Sequence, residues 1–279
     1  MRSLIAAGVV GVVLVGATQA AAQPKPTVAV RTQVVYGEAQ GSALLADLSY
    51  PTGGTRLPAI MYVHGGRWRS GSRANDNSAA LFKWADSGFF TMSIDYRLVT
   101  ATPAPASYED TLCAIRWLHA HADEYGVDPD RIFLIGESSG GHLIALVATL
   151  GQGPYARAGG WDKARTDVRA VISVAGAYDL NTLSWGNLWT PLAGGDVEAA
   201  RRQASPMSFV GPATLPILVI HSDDDRSVPI QQALDMVKAL AAANVRYRFV
   251  HYTDRGHMGL TEEVLREARA FIDEVEKRK

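Results

Sequence analysis

The sequence is poor in several features that point to particular classes of protein. Of its 279 residues only Cys113 is a cysteine, so neither an intramolecular disulfide nor a cysteine-cluster metal site can form. The formal net charge is −1 and there is no basic run, which gives no reason to expect nucleic acid as a partner. There is no H-E-x-x-H motif and no phosphate loop, so no metal and no other cofactor is predicted. Cys113 lies within an apolar helical pattern and is expected to be a small buried side chain.

Long apolar runs are also lacking, except at the beginning of the chain. Residues 1–22 combine a positively charged start, an apolar stretch over 4–16 and small residues in ATQAAAQP, which is typical of a secretory signal peptide. The apolar stretch is shorter than the roughly 20 residues of a membrane span, which favours cleavage near Ala21 or Gln23 over an uncleaved anchor. We therefore expect an exported protein, periplasmic or secreted, with no stable membrane anchor after cleavage.

Strand-like and helix-like patterns alternate after this leader. Apolar runs recur at residues 28–36, 43–50, 59–64, 89–95, 131–135, 170–175, 217–221 and 246–252. From the third run onward they are nearly continuous, as expected of strands buried on both faces, and helical patterns lie between them. Two antiparallel strands followed by alternating strands and helices predict one α/β domain over 23–279. Its sheet is expected to be mostly parallel and eight-stranded, with helices on its flanks.

Residues 180–212 do not follow this alternation. They form a long connection that contains Trp185 and Trp189. Long connections within a domain usually serve as functional loops, lids or pocket walls. Two interpretations stay open: a lid or pocket wall in which both tryptophans contact substrate, and an aromatic patch that only covers one end of the sheet.

The sequence LIGESSGGH, residues 134–142, is typical of a sharp turn from a strand into a helix. Its segment GESSG, residues 136–140, fits the pattern G-x-S-x-G. In this pattern the central serine is lifted out at a strained bend, and the glycines avoid collision with the neighbouring strand and helix. Ser138 is the predicted nucleophile and Ser139 the alternative. A tight turn without any chemistry has the same pattern, so the prediction depends on partners elsewhere in the chain.

A nucleophilic serine needs a base, and the base needs a group that fixes its tautomer. In sheets of this type such groups lie on loops at the carboxyl ends of the strands. Of the seven histidines, His257 fits the base best, because it follows the last strand-like run in a glycine-flanked loop. Asp225, after the seventh run, fits the acid, and Asp179, after the sixth, is its rival. The chain order Ser138, Asp225, His257 is the one expected of α/β-hydrolases.

Attack on an ester creates an oxyanion that needs N–H donors. The residue after the nucleophile, Ser139, is expected to supply one from its backbone. The sequence YVHGGRW, residues 62–68, follows the third strand-like run, and its glycines let the backbone approach a ligand closely. Gly66 and Arg67 are therefore the expected further donors. A glycine turn with no such role is the alternative.

With these motifs the sequence resembles esterases of the α/β-hydrolase fold. More narrowly, it is similar to the branch of hormone-sensitive-lipase-like and bacterial feruloyl- or acetyl-esterase-like proteins. The matching motifs run from about residue 58 to the C-terminus, and they are HGGRW, SIDYRL, EDTLCAIRWL, GVDPDRIFLIGESSGGHLIAL, ASPMSFV, DDRSVP and GHMG. The resemblance implies this fold, the triad Ser138, Asp225 and His257, and an oxyanion hole formed by the donors named above.

The resemblance implies a serine carboxylesterase that removes short acyl groups, such as acetyl or feruloyl, from carbohydrate or small alcohols. Arg67 is a departure, because it stands where the resembled proteins have the third glycine of H-G-G-G. With Arg69 and Arg73 it either favours an acidic acyl or sugar group or is a solvated surface charge, which is the usual state of arginine. The alternative functions are a peptidase of the prolyl-oligopeptidase type and a catalytically silent binding module.

Overall fold

A computed structural model describes residues 26–190 and 196–277. The predicted leader, residues 1–22, lies outside the described residues. One eight-stranded sheet runs through the molecule. Its strands are β1 (Val28–Ala39), β2 (Ser42–Pro51), β3 (Leu57–Val63), β4 (Phe90–Ile94), β5 (Val127–Glu137), β6 (Ala170–Val174), β7 (Ile217–Ser222) and β8 (Tyr247–Tyr252).

The strands follow the spatial order β1-β2-β4-β3-β5-β6-β7-β8. Strand β2 is antiparallel to both of its neighbours, and every other neighbouring pair is parallel. The predicted α/β-hydrolase architecture, with a mostly parallel eight-stranded sheet, is confirmed. The largest difference in bounds is at β5, which begins at Val127 rather than at 131. The polar sequence Asp128-Pro129-Asp130 interrupts the apolar pattern there and hides the start of the strand.

Helices cover both faces of the sheet. The α-helices of the described residues are α1 (Asp76–Phe82), α2 (Ala106–Ala120), α3 (Ala122–Tyr125), α4 (Ser139–Leu150), α5 (Val197–Gln203), α6 (Gln231–Ala242) and α7 (Glu262–Lys277). Helices α2, α4 and α6 pack on one face, and α1 and α7 pack on the other. Cys113 of α2 is fully buried, as expected, and burial raises the pKa of its thiol to about 11. No helix within 26–190 and 196–277 is long and apolar enough to cross a membrane.

Strand β3 shows why the central apolar runs are continuous. Ala59, Met61 and Val63 belong to the core cluster on one face, while Ile60 and Tyr62 belong to the cluster on the other. All five side chains are fully buried. Burying a large aliphatic or aromatic side chain stabilises the fold by about 1.5–3 kcal/mol, so both faces favour apolar residues. The parallel strands consequently bring the loops after β3, β5, β7 and β8 to one edge of the sheet.

The connection over 180–212 leaves the same edge after β6. It contains 3₁₀ turns at Gly186–Trp189 and Pro206–Phe209, with α5 between them. Residues 191–195 lie outside the described residues. The prediction that this connection serves as a lid or pocket wall stays a prediction.

Candidate active site

The turn between β5 and α4 is strained at one residue. Ser138 has φ 56° and ψ −120°, a conformation that L-residues rarely adopt, and α4 begins at the next residue. Such a conformation costs on the order of 1–3 kcal/mol and persists only where the surroundings enforce it. Here the Ser138 N–H donates to Val174 O at 2.9 Å, and the His142 N–H donates to Ser138 O at 3.0 Å. Strand β6, which contains Val174, and helix α4, which contains His142, thus hold the serine at the bend.

The glycines beside Ser138 are required by close packing against β3. A Cβ on Gly140 would lie 2.0 Å from the carbonyl oxygen of Val63, and a Cβ on Gly136 would lie 2.8 Å from the same atom. Real Cβ atoms do not approach a backbone oxygen so closely, so side chains at these positions would push α4 off the sheet. These distances agree with the sequence-based explanation that the glycines avoid a collision with the neighbouring strand and helix.

An imidazole and a carboxylate from two neighbouring loops form the next part of the site. His257 Nδ1 lies 2.7 Å from Asp225 Oδ2. Asp225 Oδ1 accepts hydrogen bonds from the N–H groups of Ser227 at 2.8 Å and Val228 at 2.9 Å. Burial by itself would raise the pKa of Asp225, but the bonds from His257 and from the two N–H groups outweigh it and lower that pKa. The ionised Asp225 therefore holds the proton of His257 on Nδ1 and leaves Nε2 as the acceptor.

Ser138 and His257 border the same cavity, which has a volume of about 350 Å³. Its lining residues are Gly65, Gly66, Arg67, Asn77, Glu137, Ser138, Ser227, His257, Met258 and Gly259. No hydrogen bond joins Ser138 Oγ to His257 among the described residues, and such contacts are often loose in ligand-free enzymes. The rival acid Asp179 accepts the N–H of Asn181 at 2.9 Å and makes no bond to His257. The structure thus brings together Ser138, Asp225 and His257.

The loop after β3 offers backbone donors to this cavity. Gly66 has φ 110° and Arg67 has φ 55°. A Cβ on Gly66 would lie 2.2 Å from Ser70 O, so only glycine fits this turn. Within the described part of the chain, the N–H groups of Gly66 and Arg67 have no hydrogen-bond acceptor. The N–H of Ser139, at the first position of α4, lies at the positive end of that helix.

Glu137 is a residue of the site that the sequence did not point to. Its Oε1 accepts the Gly65 N–H at 2.8 Å and the Tyr62 hydroxyl at 2.9 Å. Burial raises the pKa of this carboxyl to about 7, although both hydrogen bonds lower it. Glu137 therefore ties the loop that contains Gly66 to the strand that ends at the nucleophile. Its position as the variable residue of G-x-S-x-G, next to the nucleophile, was the one feature of the sequence that could have indicated a role in the site.

His142 lies on α4, one helical turn after the nucleophile. Its imidazole is fully buried, with ring centroids 5.0 Å from Trp68 and 4.8 Å from Trp189. Nε2 donates to the carbonyl oxygen of Ala204 at 2.8 Å. Burial lowers the pKa of His142 to about 4. The neutral ring thereby packs the loop after β3 against the connection over 180–212.

The two tryptophans proposed as substrate contacts are both buried. The Trp185 Nε1–H donates to Ser227 O at 2.8 Å, and the Trp189 Nε1–H donates to Ser107 Oγ at 2.7 Å. Neither ring is among the residues that line the cavity. A direct contact between these tryptophans and substrate stays a prediction that the geometry does not support.

The three arginines considered from the sequence differ in their surroundings. Arg73 pairs with Asp47 and Asp95 within the fold. Arg69 is exposed and does not line the cavity, whereas Arg67 is exposed and does. Within the described ranges no cluster of His, Cys, Asp and Glu side chains has the arrangement of a metal site.

The fold and the sequence both have known relatives. Two solved structures share the fold at 24% sequence identity: a truncated carbohydrate esterase from gut microbiota and esterase Est2 from Thermogutta terrifontis. The first has a TM-score of 0.76 and covers 92% of this chain and 99% of its own. The second has a TM-score of 0.75 and covers 90% of this chain and 93% of its own.

Two relatives come from Mycobacterium tuberculosis. Esterase LipC is 32% identical over 77% of this chain and 56% of its own length. The probable carboxylic ester hydrolase LipM is 29% identical over 70% of this chain and 48% of its own. The chain thus spans about half the length of these curated relatives. A family model described as BD-FAE matches residues 46–240, which include Ser138 and Asp225. The chain belongs to the BD-FAE family, within the esterase branch of the α/β-hydrolase fold that its motifs resemble.

Proposed function

We propose that this protein is a serine carboxylesterase that hydrolyses short-chain acyl esters through an acyl-enzyme on Ser138. The observation that carries the proposal is the pairing of His257 with Asp225 at 2.7 Å on the wall of the cavity that also receives the strained serine. Because Asp225 keeps the proton on Nδ1, Nε2 of His257 can accept the proton of the serine hydroxyl.

The reaction then runs in two halves. Ser138 Oγ attacks the carbonyl carbon of the ester and transfers its proton to His257 Nε2, while the carbonyl oxygen becomes an oxyanion. The N–H groups of Gly66, Arg67 and Ser139 are the donors for that charge. Collapse of the intermediate breaks the ester bond, and His257 gives its proton to the departing alcohol. Water activated by His257 then attacks the acyl-serine ester and releases the acid and the free enzyme.

The size of the cavity favours a short acyl group. Ligand pockets typically measure about 300–1,000 Å³, and the cavity of about 350 Å³ lies at the lower end of that range. The resemblance to acetyl- and feruloyl-esterase-like proteins suggests acetyl or feruloyl groups on carbohydrate, and a carbohydrate esterase is among the structures with this fold. Acetylated and feruloylated oligosaccharides are therefore the natural substrates that we propose.

The first test is hydrolysis of p-nitrophenyl esters, from acetate to decanoate, by the wild type, Ser138→Ala and Ser139→Ala. Removal of the nucleophile should lower kcat by about 10⁴–10⁶-fold. Ser139→Ala keeps its backbone N–H and should lose tenfold at most, which separates the two candidate nucleophiles. A fluorophosphonate should also add its phosphonyl mass to the peptide that contains Ser138, and Ser138→Ala should abolish the labelling.

Three outcomes would contradict this proposal. If Ser138→Ala retains wild-type activity, the nucleophile is another residue. If the wild type cleaves a prolyl anilide but no ester, the protein is a peptidase. If it cleaves neither and takes no label, the fold serves binding alone.

We further propose that the protein is exported by the leader over residues 1–22. Mass spectrometry of the mature N-terminus from the periplasm or medium should place it near Ala21 or Gln23. A full-length chain retained in the cytoplasm would contradict export.

A further inference from the structure

The mouth of the cavity carries a cation that is not neutralised by the protein. Arg67 is exposed and is the one lysine or arginine among the residues that line the cavity. Within the described residues its guanidinium forms no ion pair with a carboxylate, whereas Arg73 on the same loop pairs with two aspartates. A positive charge therefore faces the space in which the ester must bind.

The guanidinium of Arg67 is also held in place. Its Cζ lies 5.4 Å from the centroid of the Trp185 ring, and its Nη2 lies 3.5 Å from Ser227 Oγ. The Trp185 Nε1–H in turn donates to Ser227 O, so the ring and the serine form one support. An arginine that stacks on an aromatic ring loses less side-chain freedom when it binds a ligand. Trp185, although it does not line the cavity, thus positions a group that does.

The carboxyl groups of Glu137 and Asp225 form no ion pair with Arg67. Glu137 is the one carboxyl among the lining residues, and its Oε1 is directed to Gly65 N–H and Tyr62 OH. Burial raises the pKa of Glu137 to about 7, which reduces its negative charge at neutral pH. Asp225 is buried, and its oxygens accept bonds from His257 and from backbone N–H groups. Among the residues that line the cavity, Arg67 is thus the one exposed side chain with a permanent charge.

We propose that Arg67 forms an anion-binding subsite, and that the preferred esters carry a carboxylate close to the scissile carbonyl. The flat guanidinium can donate two parallel hydrogen bonds to a carboxylate, and one cation matches the single negative charge of that group. The carboxylate can belong to the alcohol, as in an acetylated uronate or hydroxybenzoate, or to the acyl group, as in a monoester of a dicarboxylic acid. The proposal rests on the esterase function proposed above.

Two matched pairs of substrates test the subsite. For the alcohol side we would compare 4-acetoxybenzoate with 4-acetoxybenzamide. For the acyl side we would compare phenyl hydrogen glutarate with phenyl glutaramate. Within each pair the amide has nearly the shape of the carboxylate but no charge. The quantity measured is the ratio of kcat/KM for the anionic ester to kcat/KM for its amide. The rate of hydrolysis without enzyme is subtracted, and p-nitrophenyl acetate serves as the reference ester.

The variants are Arg67→Gln, Arg67→Lys and the control Arg69→Gln. Arg67→Gln should lower the ratio by about tenfold in one pair, less than for a buried charge pair because Arg67 is exposed. Arg67→Lys keeps the charge but cannot donate two parallel hydrogen bonds to a carboxylate, so it should retain part of the preference for the anionic ester. Arg69 lies two residues further on, is exposed and does not line the cavity, so Arg69→Gln should leave the ratio unchanged. The wild-type ratio should also fall as salt screens the exposed charge.

The results separate this proposal from the esterase function itself. Equal efficiency of the wild type on both members of both pairs would overturn the subsite and leave the esterase standing. An equal loss on the anionic and neutral esters in Arg67→Gln would show that Arg67 acts on the loop and not on the substrate charge, which also overturns it. If p-nitrophenyl acetate and all four esters stay intact, both proposals fail.

Discussion

The buried imidazole of His142 makes the stability of the fold sensitive to acid. Its Nε2–H donates to Ala204 O, while its Nδ1 is buried without a hydrogen-bond partner. Protonation would place a charge and an unsatisfied N–H between the rings of Trp68 and Trp189. The unfolded chain exposes the same imidazole to water and binds the proton readily. Acid should therefore favour unfolding through this residue.

The magnitude follows from the pKa of His142 in the two states. Burial lowers the pKa to about 4 in the folded protein, against about 6.5 for an exposed histidine. Because the folded pKa is depressed, the contribution to stability is fully present above about pH 6.5 and is lost as the pH falls through about 4. At about 1.4 kcal/mol per pKa unit the complete loss is about 3 kcal/mol, of which about 2 kcal/mol falls between pH 7 and pH 5.

Urea unfolding at pH 7 and pH 5 of the wild type and His142→Gln measures this effect. Glutamine can still donate an N–H to Ala204 O but does not titrate in this range. The free energy of unfolding of the wild type should fall by about 2 kcal/mol more than that of His142→Gln. Burial also lowers the pKa of His64 and His221, but both histidines are present in the two proteins and cancel in the difference.

The control is His119→Gln, the same substitution at a partly exposed imidazole whose Nε2 also meets a backbone carbonyl at 2.8 Å. This variant tests whether replacement of a histidine by glutamine changes the dependence on pH by itself. If wild type and His142→Gln lose the same free energy between pH 7 and pH 5, the buried imidazole is not the acid-sensitive group and the reasoning is wrong.

Three further predictions concern the site. Asp225→Asn should lower kcat by about 10⁴-fold because an amide does not hold the proton on Nδ1 of the histidine, while Asp223→Asn, two residues earlier and exposed, should retain wild-type turnover of p-nitrophenyl acetate. Glu137→Ala leaves two buried donors without an acceptor at about 1–3 kcal/mol each, so thermal unfolding should show a lower Tm that Glu137→Gln largely restores. Trp185→Phe keeps a ring but loses the bond to Ser227 O, and should lower the anion preference by about twofold in the assay proposed for Arg67.

The positions of the strands could be predicted from the sequence because the patterns that indicate a strand are local. Strands buried on both faces need continuous apolar runs, and these runs occur at the observed strands. Their parallel order then brings Ser138, Asp225 and His257 to one edge without any further information. Both Asp225 and Asp179 follow strands at that edge; the sequence favoured Asp225, and the structure adds its contact with His257. Only the structure shows that the side chain of Asp179 accepts from Asn181.

The roles that the sequence did not reveal depend on partners far along the chain. Glu137 binds Gly65 from 72 residues away, and His142 binds Ala204 from 62 residues away. A buried acid after a strand and a histidine within an apolar helix have no distinctive local pattern. Their roles depend on the backbone groups that the tertiary structure places opposite them.

These distant contacts converge on the loop after β3. Glu137, at the end of β5, binds Gly65, and His142, on α4, packs against Trp68. Trp185, from the connection over 180–212, packs against both Arg67 and Trp68. The geometry of the proposed oxyanion donors is therefore set by two separate segments of the chain, the turn from β5 into α4 and the connection over 180–212. It follows that a substitution in the connection can alter the rate of ester hydrolysis without touching substrate, because its effect passes through this loop.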